Sequence, residues 1–163
     1  MENYCQGVLT VSMMLLLGAV GLYWAETASR ERLKELHQLT LKEAWLIGVA
    51  QALAIVPGVS RSGATMSAAL ALGIERAEAA RFSFLLSLPV VAGASLYKAL
   101  KLGWGTIPGE LLLPMAVGVA CSALSGYVCL RAFLLYLRRS SLKPFAVYRV
   151  GLAMVLLALW LRS

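Results

Sequence analysis

Three stretches of the chain, 7–25, 82–97 and 111–130, hold no charged side chain, and a fourth, 144–161, holds only Arg149. A helix rises ~1.5 Å per residue and the hydrocarbon core of a bilayer is about 30 Å thick, so a run of about 20 apolar residues is what a span requires. The composition agrees: 60% of residues are hydrophobic and 14% charged, with a mean hydropathy of +0.78. Soluble domains average about 45–50% apolar and about 25% charged, so an ordinary soluble domain is excluded. High hydrophobicity excludes disorder, and the lack of Glu and Lys at heptad spacing excludes a coiled coil. Fifteen Lys and Arg against eight acidic residues, all Glu, give a formal charge of +7. In a membrane protein that excess belongs to cytoplasmic loops facing anionic lipid, and no nucleic-acid partner is expected.

The pattern predicts an all-α polytopic membrane protein, a single membrane domain over 1–163. Spans are expected at 7–25, 82–97, 111–137 and 144–161, with Arg131 inside the third and Arg149 near enough to one end of the last to snorkel. The first run has no basic segment before it and no A-x-A site at its end, which makes it a span and not a signal peptide. Residues 26–43 are polar and place Leu33, Leu36, Leu39 and Leu41 at near-helical spacing, as in an interfacial helix or an ordered loop. Cys5, Cys121 and Cys129 lack C-x-x-C spacing and read as small apolar side chains without disulfide or metal duty.

Residues 44–74 are nearly all apolar or small, yet Pro57-Gly58 cuts them in the middle and Arg61 follows. Proline removes a backbone donor and glycine permits a sharp turn, so one straight span is excluded in favour of two half-helices that meet inside the membrane. Such broken backbone survives at membrane depth only where protein or a watery cavity surrounds it. The loop charges favour a re-entrant hairpin. If 44–74 returns to its starting side, one face collects Arg30, Arg32, Lys34, Lys42, Arg76, Arg81, Arg138, Arg139 and Lys143, and the other keeps Lys98, Lys101 and Arg162. If it crosses, the basic residues divide almost evenly and the positive-inside bias disappears. Both chain ends then lie on the extracytoplasmic side.

The hairpin tip reads P-G-V-S-R-S-G-A-T from Pro57 to Thr65. Ser60 is placed to cap the second half-helix, with Arg61, Ser62 and Gly63 in its first turn. First-turn amides lack internal partners and the helix end carries partial positive charge, so the tip is suited to an anion. Arg61 adds a planar fork that matches phosphate oxygens, and Ser60, Ser62 and Thr65 add hydroxyls. Close spacing of small residues also serves helix packing, a reading that covers Gly63, Ser67, Gly118, Ser122 and Gly126. Gln51 either bonds the tip or its ligand or pairs between helices. His37, beside Glu35 and Gln38, reads as a solvated surface histidine. All eight glutamates, Glu2, Glu26, Glu31, Glu35, Glu43, Glu75, Glu78 and Glu110, fall outside the spans, so no metal site is expected at the tip. No Lys follows Gly63, so the string is not a Walker A loop.

The stretch G-V-A-Q-A-L-A-I-V-P-G-V-S-R-S-G-A-T, followed by R-F-S-F-L-L-S-L-P-V-V-A-G-A-S, resembles the second signature of the bacterial undecaprenyl-diphosphate phosphatases, the bacitracin-resistance family. The hydrophobic pattern on both sides, including the span ending at Ala25-Glu26, is similar as well. The resemblance implies two inverted repeats, each with a re-entrant hairpin, and an active site where the two tips meet. It implies a multi-pass protein of the bacterial inner membrane that removes the terminal phosphate of undecaprenyl diphosphate and so recycles the carrier for peptidoglycan. A divalent cation, Mg or Ca, is implied too. Carried onto this chain, Ser60, Arg61, Ser62 and Thr65 become active-site residues, with Gln51, Gly58 and Gly63 on the substrate side. Arg61 would bind the diphosphate and stabilise charge on leaving oxygens; the hydroxyls would orient phosphate or serve as nucleophile.

The family's first signature, a Glu-rich helix and a Ser-Ser-Thr-Gly-His-like tip, has no match in residues 1–43. The chain is therefore expected to be the C-terminal part of a longer protein whose first repeat, in cis or in trans, brings the metal-binding carboxylates; a homodimer is the other way to complete the site. A different class of reading also fits the tip: a transporter or lipid-binding protein that holds an anion at a broken helix without hydrolysing it.

Overall fold

The computed structural model describes residues 2–28 (2–6, with Glu2 and Cys5, by backbone alone), 34–102 and 108–162. Arg30, Glu31, Arg32 and Leu33 lie outside the described residues. Among the described residues six α-helices follow one another: α1 (Glu2–Ala28), α2 (Leu41–Ala52), α3 (Arg61–Ala71), α4 (Arg76–Leu102), α5 (Gly109–Leu137) and α6 (Lys143–Trp160). Short 3-10 turns at Leu36–Gln38 and Leu53–Ile55 flank α2. Four helical segments, Gly7–Ala28, Arg76–Lys101, Gly109–Leu137 and Lys143–Trp160, are long and apolar enough to cross a bilayer. The chain is thus an all-α, multi-pass membrane protein.

The helices run past the charge-free stretches, because charged residues at helix ends lie at the interface and need not terminate the helix. Thus α4 takes in Arg76, Glu78 and Arg81 at one end and Lys98 and Lys101 at the other. The polar stretch before α2 holds the 3-10 turn and a bridge at Lys34 among its described residues, and α2 itself opens at Leu41. Thr40 starts α2 through a capping box: its hydroxyl accepts from Glu43 N, and its backbone N–H donates to the Glu43 carboxylate. Lys34 Nζ pairs with that carboxylate as well. The lysine first, then the two Thr40 donors, hold the Glu43 carboxyl at about 2, well below its ordinary value.

Buried small residues let the helices approach closely. Ala19 and Ala25 on α1, Ala69 on α3, Ala77, Ala79 and Ala80 on α4, and Ala146 and Ala153 on α6 are all buried, with Ile47, Leu70, Ile74, Leu137 and Leu142 filling between them. α1 packs along α6 and α3, and α3 in turn along α2 and α4. α5 leans on the bundle through Phe133, which meets the rings of Phe84 and Phe145 edge-on at 6.2 and 5.3 Å. Cys121 and Cys129 are free and exposed along it.

The ends of the hairpin are tied to each other. Lys34 N donates to Gly73 O (3.3 Å) and Glu75 N to Lys34 O (3.1 Å), so the chain entering α2 meets the chain leaving α3. α3 stops in a Schellman motif, with Gly73 at φ +82 and Ile74 N bonded to Ala69 O at 3.1 Å. Helices of 12 and 11 residues reach only ~18 and ~16 Å, too short for either to cross alone. The same end of the bundle holds Glu26, whose buried carboxylate takes two bonds from Arg76 at 2.7 and 2.8 Å, and Lys143, 5.9 Å above the Tyr23 ring.

That Glu26–Arg76 pair joins the end of α1 to the start of α4. Arg76 is 36% exposed, so its loss is expected to cost about 2–3 kcal/mol, below the range for a fully buried pair. Arg76→Ala should lower the thermal unfolding midpoint in detergent, with Arg76→Lys recovering part of the loss; an unchanged midpoint would show that the pair carries no weight.

Candidate functional site

The tip is set by two backbone choices. After the 3-10 turn the chain extends at Val56, and Gly58 adopts φ +93, a conformation L side chains rarely take. A Cβ at Gly58 would lie 2.8 Å from both Cα and O of Val11, so the turn rests on the backbone of α1. Val11 is ~22 Å along α1 from Glu26, which places the tip far from the charged end. Ser60 is then extended (φ −73, ψ 122), and its Oγ accepts from Gly63 N at 3.1 Å, capping α3. Ser62 Oγ lies 3.3 Å from Ser60 Oγ.

Three clefts have Ser62 in their lining, and two of them take in further residues of this turn. The more polar one, about 270 Å³, is lined by Gln51, Arg61, Ser62, Ser83 and Ser87 with Phe84 and Val91. The more apolar one, about 290 Å³, is lined by Ser60, Ser62, Gly63, Met66 and Arg149 with Phe133 and Phe145. The structure therefore brings Arg61, Ser62 and Gln51 together, and sets Ser60 and Gly63 at the neighbouring cleft. Gly58 faces α1. Thr65 lies beneath the surface, 1% exposed. Its hydroxyl lies 2.9 Å from Arg61 O and 2.6 Å from Ser83 Oγ, so it ties the first turn of α3 to α4.

Ser83, Ser87 and Arg149 were not singled out from the sequence as site residues. The two serines stand four apart in F-S-F-L-L-S, one face of a helix, and that spacing in an apolar run was the available signal. Arg149 corrects the expectation that it snorkels: it is 8% exposed and turned inward, because the flanking positions on α1 and α3 are glycines. A Cβ on Gly18 would overlap its Nη2, and one on Gly63 would come 2.6 Å from Nη1. Its Nε and Nη2 are buried and have no hydrogen-bond partner among the described residues. His37 sits exposed, with Nδ1 3.2 Å from Glu35 Oε2.

The donors at the tip are hydroxyls, one amide and guanidinium groups. Mg and Ca take carboxylate and carbonyl oxygens, and among the described residues no group of three His, Cys, Asp or Glu is placed to hold a cation. The residues present at the tip do not by themselves fit a divalent metal. They fit an oxyanion: a permanent positive fork, hydroxyl donors and the N-terminal end of α3, whose Gly63 amide is capped by Ser60, converge on the same turn.

The Thr65–Ser83 pair is the joint that holds this arrangement on α4. Thr65→Val keeps the shape and leaves the Ser83 hydroxyl buried without its partner, for an expected cost of about 1–3 kcal/mol. Thr65→Ser should be close to wild type. The double variant Thr65→Val, Ser83→Ala should cost less than the two singles summed, the mark of direct coupling in a double-mutant cycle. Strict additivity in unfolding measurements would show that the 2.6 Å contact is not a working bond.

Residues 1–155 match the family model described as Bacitracin resistance protein BacA. The chain is 46% identical over 142 residues to an undecaprenyl-diphosphatase of Geotalea daltonii, covering 87% of this chain and 52% of that protein. It is 42% identical over 162 residues to an undecaprenyl-diphosphatase of Moorella thermoacetica, covering 99% of this chain and 60% of that protein. The chain thus spans between half and two-thirds of the length of these curated relatives.

Proposed function

This chain belongs to the bacitracin resistance protein BacA family, and from that membership we propose that it takes part in removing the terminal phosphate of undecaprenyl diphosphate, recycling the lipid carrier of peptidoglycan synthesis in the bacterial inner membrane. The observation that carries the reading is the tip: Arg61 in the first turn of α3, opening with Ser62 and Gln51 on one cleft. The hairpin whose ends bond to each other through Lys34, Gly73 and Glu75 supports a re-entrant segment with its tip inside the bilayer.

In this reading the Arg61 fork and the α3 amides hold phosphate oxygens, and Ser62 orients them. The bond between the bridging oxygen and the terminal phosphorus breaks, the incoming oxygen comes from water, directly or by way of a serine hydroxyl, and charge collects on the departing lipid phosphate. A guanidinium already in place stabilises that charge without reorganisation. Ser60 keeps the helix end in register by capping Gly63 N, and Thr65 does so through Ser83. The divalent cation of the family, Mg or Ca, is assigned to carboxylates outside this chain. Those carboxylates belong to a first repeat, in cis or in trans, or the site is completed by a second copy of the chain in a homodimer.

Phosphate release from undecaprenyl diphosphate by the purified complete protein, with divalent metal and then with EDTA, tests the proposal. Metal-dependent release is expected. Saturable binding of the lipid with no release in any metal would overturn it and leave a protein that only holds the anion.

A further inference from the structure

Arg149 is a second cation at the tip, on the side away from Gln51, and its setting is that of a ligand-binding group. The residue is only 8% exposed, and its Nε and Nη2 are buried and find no acceptor among the described residues. The guanidinium lies in a slot between Gly18 of α1 and Gly63 of α3, where any larger side chain would collide with it. Nearby acidic groups do not serve it: the Glu26 carboxylate is taken by Arg76, and α5 and α6 carry Glu110 as their only acidic residue, at the far end of α5. The slot opens on the apolar cleft beside Ser60 and Ser62, a cleft that Met66, Phe133 and Phe145 also line.

Ser62 lines both clefts, so a ligand with two linked phosphates can straddle the turn. One cleft is polar around Arg61 and the other apolar around Arg149. A prenyl diphosphate is asymmetric in the same sense, with one terminal phosphate and one esterified to a hydrocarbon chain. We propose that Arg149 binds the lipid-linked phosphate, with its prenyl chain along Met66, Phe133 and Phe145, leaving the terminal phosphate to Arg61; Gly18 and Gly63 act as positioning residues by leaving room for the guanidinium. The inference rests on the diphosphatase reading for its ligand, but it concerns binding and needs no turnover.

The test measures binding of farnesyl phosphate, a prenyl monophosphate that resembles the product, to the purified protein in detergent, beside farnesol, inorganic phosphate and phosphatidic acid. Arg149→Gln should weaken farnesyl phosphate at least about tenfold and leave farnesol and inorganic phosphate within about twofold. Gly18→Ala should reproduce the effect by displacing the guanidinium, and exposed Arg162→Gln should not. Equal affinity in wild type and Arg149→Gln, or an equal loss for farnesol, would overturn the proposal. Competition by phosphatidic acid as strong as that by farnesyl phosphate would overturn the prenyl assignment in favour of bilayer headgroups. If Arg149→Gln does not fold, Arg149→Lys decides: several-fold weaker farnesyl phosphate binding with farnesol unchanged supports the fork contact, and unchanged affinity refutes it. Loss of hydrolysis with this binding pattern intact would reject the diphosphatase reading and leave the Arg149 site standing.

Discussion

Arg61→Ala in the complete protein is expected to reduce phosphate release from undecaprenyl diphosphate roughly 10²–10³-fold, the scale on which preorganised charge stabilisation is lost when one donor is removed. Arg61 is exposed at the tip and takes part in none of the ion pairs among the described residues, which join Lys34 to Glu43, His37 to Glu35, Arg76 to Glu26 and Arg81 to Glu78. Its removal should therefore leave the unfolding midpoint within a degree or so of wild type, since an exposed side chain outside such features contributes within about 0.5 kcal/mol. Arg61→Lys keeps the charge and loses the planar fork, so it should recover only part of the rate. A large rate loss without a stability loss separates a group that handles substrate from one that holds the fold. Full activity in Arg61→Ala would remove the tip from the chemistry.

Gly58→Ala is expected to give the opposite pattern, a large loss of stability with activity falling because the tip comes away from α1. The conformation at φ +93 costs a residue with a Cβ about 1–2 kcal/mol. The added carbon would also press on Cα and O of Val11 at 2.8 Å, and backbone atoms cannot rotate aside as a side chain would. Overpacking of this kind costs a further ~1–3 kcal/mol, so the total is about 2–5 kcal/mol. Gly48→Ala on α2 is the control, since its Cβ would meet nothing within 4 Å and alanine favours a helix. Thermal unfolding in detergent should show a marked drop for the first variant and none for the second. Equal midpoints would mean that the Gly58 turn does not rest on α1 as described.

The spans and the break were legible because both are local properties. Twenty apolar residues require a particular length whatever surrounds them, and Pro57-Gly58 interrupts a helix from within. The cap at Ser60 was legible for the same reason, since its partner Gly63 is three residues away. The polar stretch before α2 is less legible, because a capping box at Thr40 with Glu43 starts a helix inside a charged segment that hydropathy alone counts as loop.

What escaped the sequence was the pairing of distant elements. Nothing near Thr65 announces that its hydroxyl meets Ser83, and that contact turns it from a group offered to a ligand into one that holds two helices together. Arg149 was placed by depth: near a helix end, an arginine reaches for the interface by default. The default fails here because Gly18, far away in the chain, vacates the space into which the guanidinium turns. Gly58 shows the limit from the other side, since its motif position suggests a ligand while its missing Cβ answers to Val11.

In the proposed function this chain builds the arginine-bearing half of a diphosphatase site. The most direct test is inorganic phosphate release from undecaprenyl diphosphate by three samples: this 163-residue chain alone, a carboxylate-bearing first repeat from a family member alone, and the two combined. The account predicts no release from either part and metal-dependent release from the mixture, lost again when the chain carries Arg61→Ala. Metal-dependent turnover by the chain alone, abolished by the same substitution, would contradict it and show that one repeat assembles a complete site.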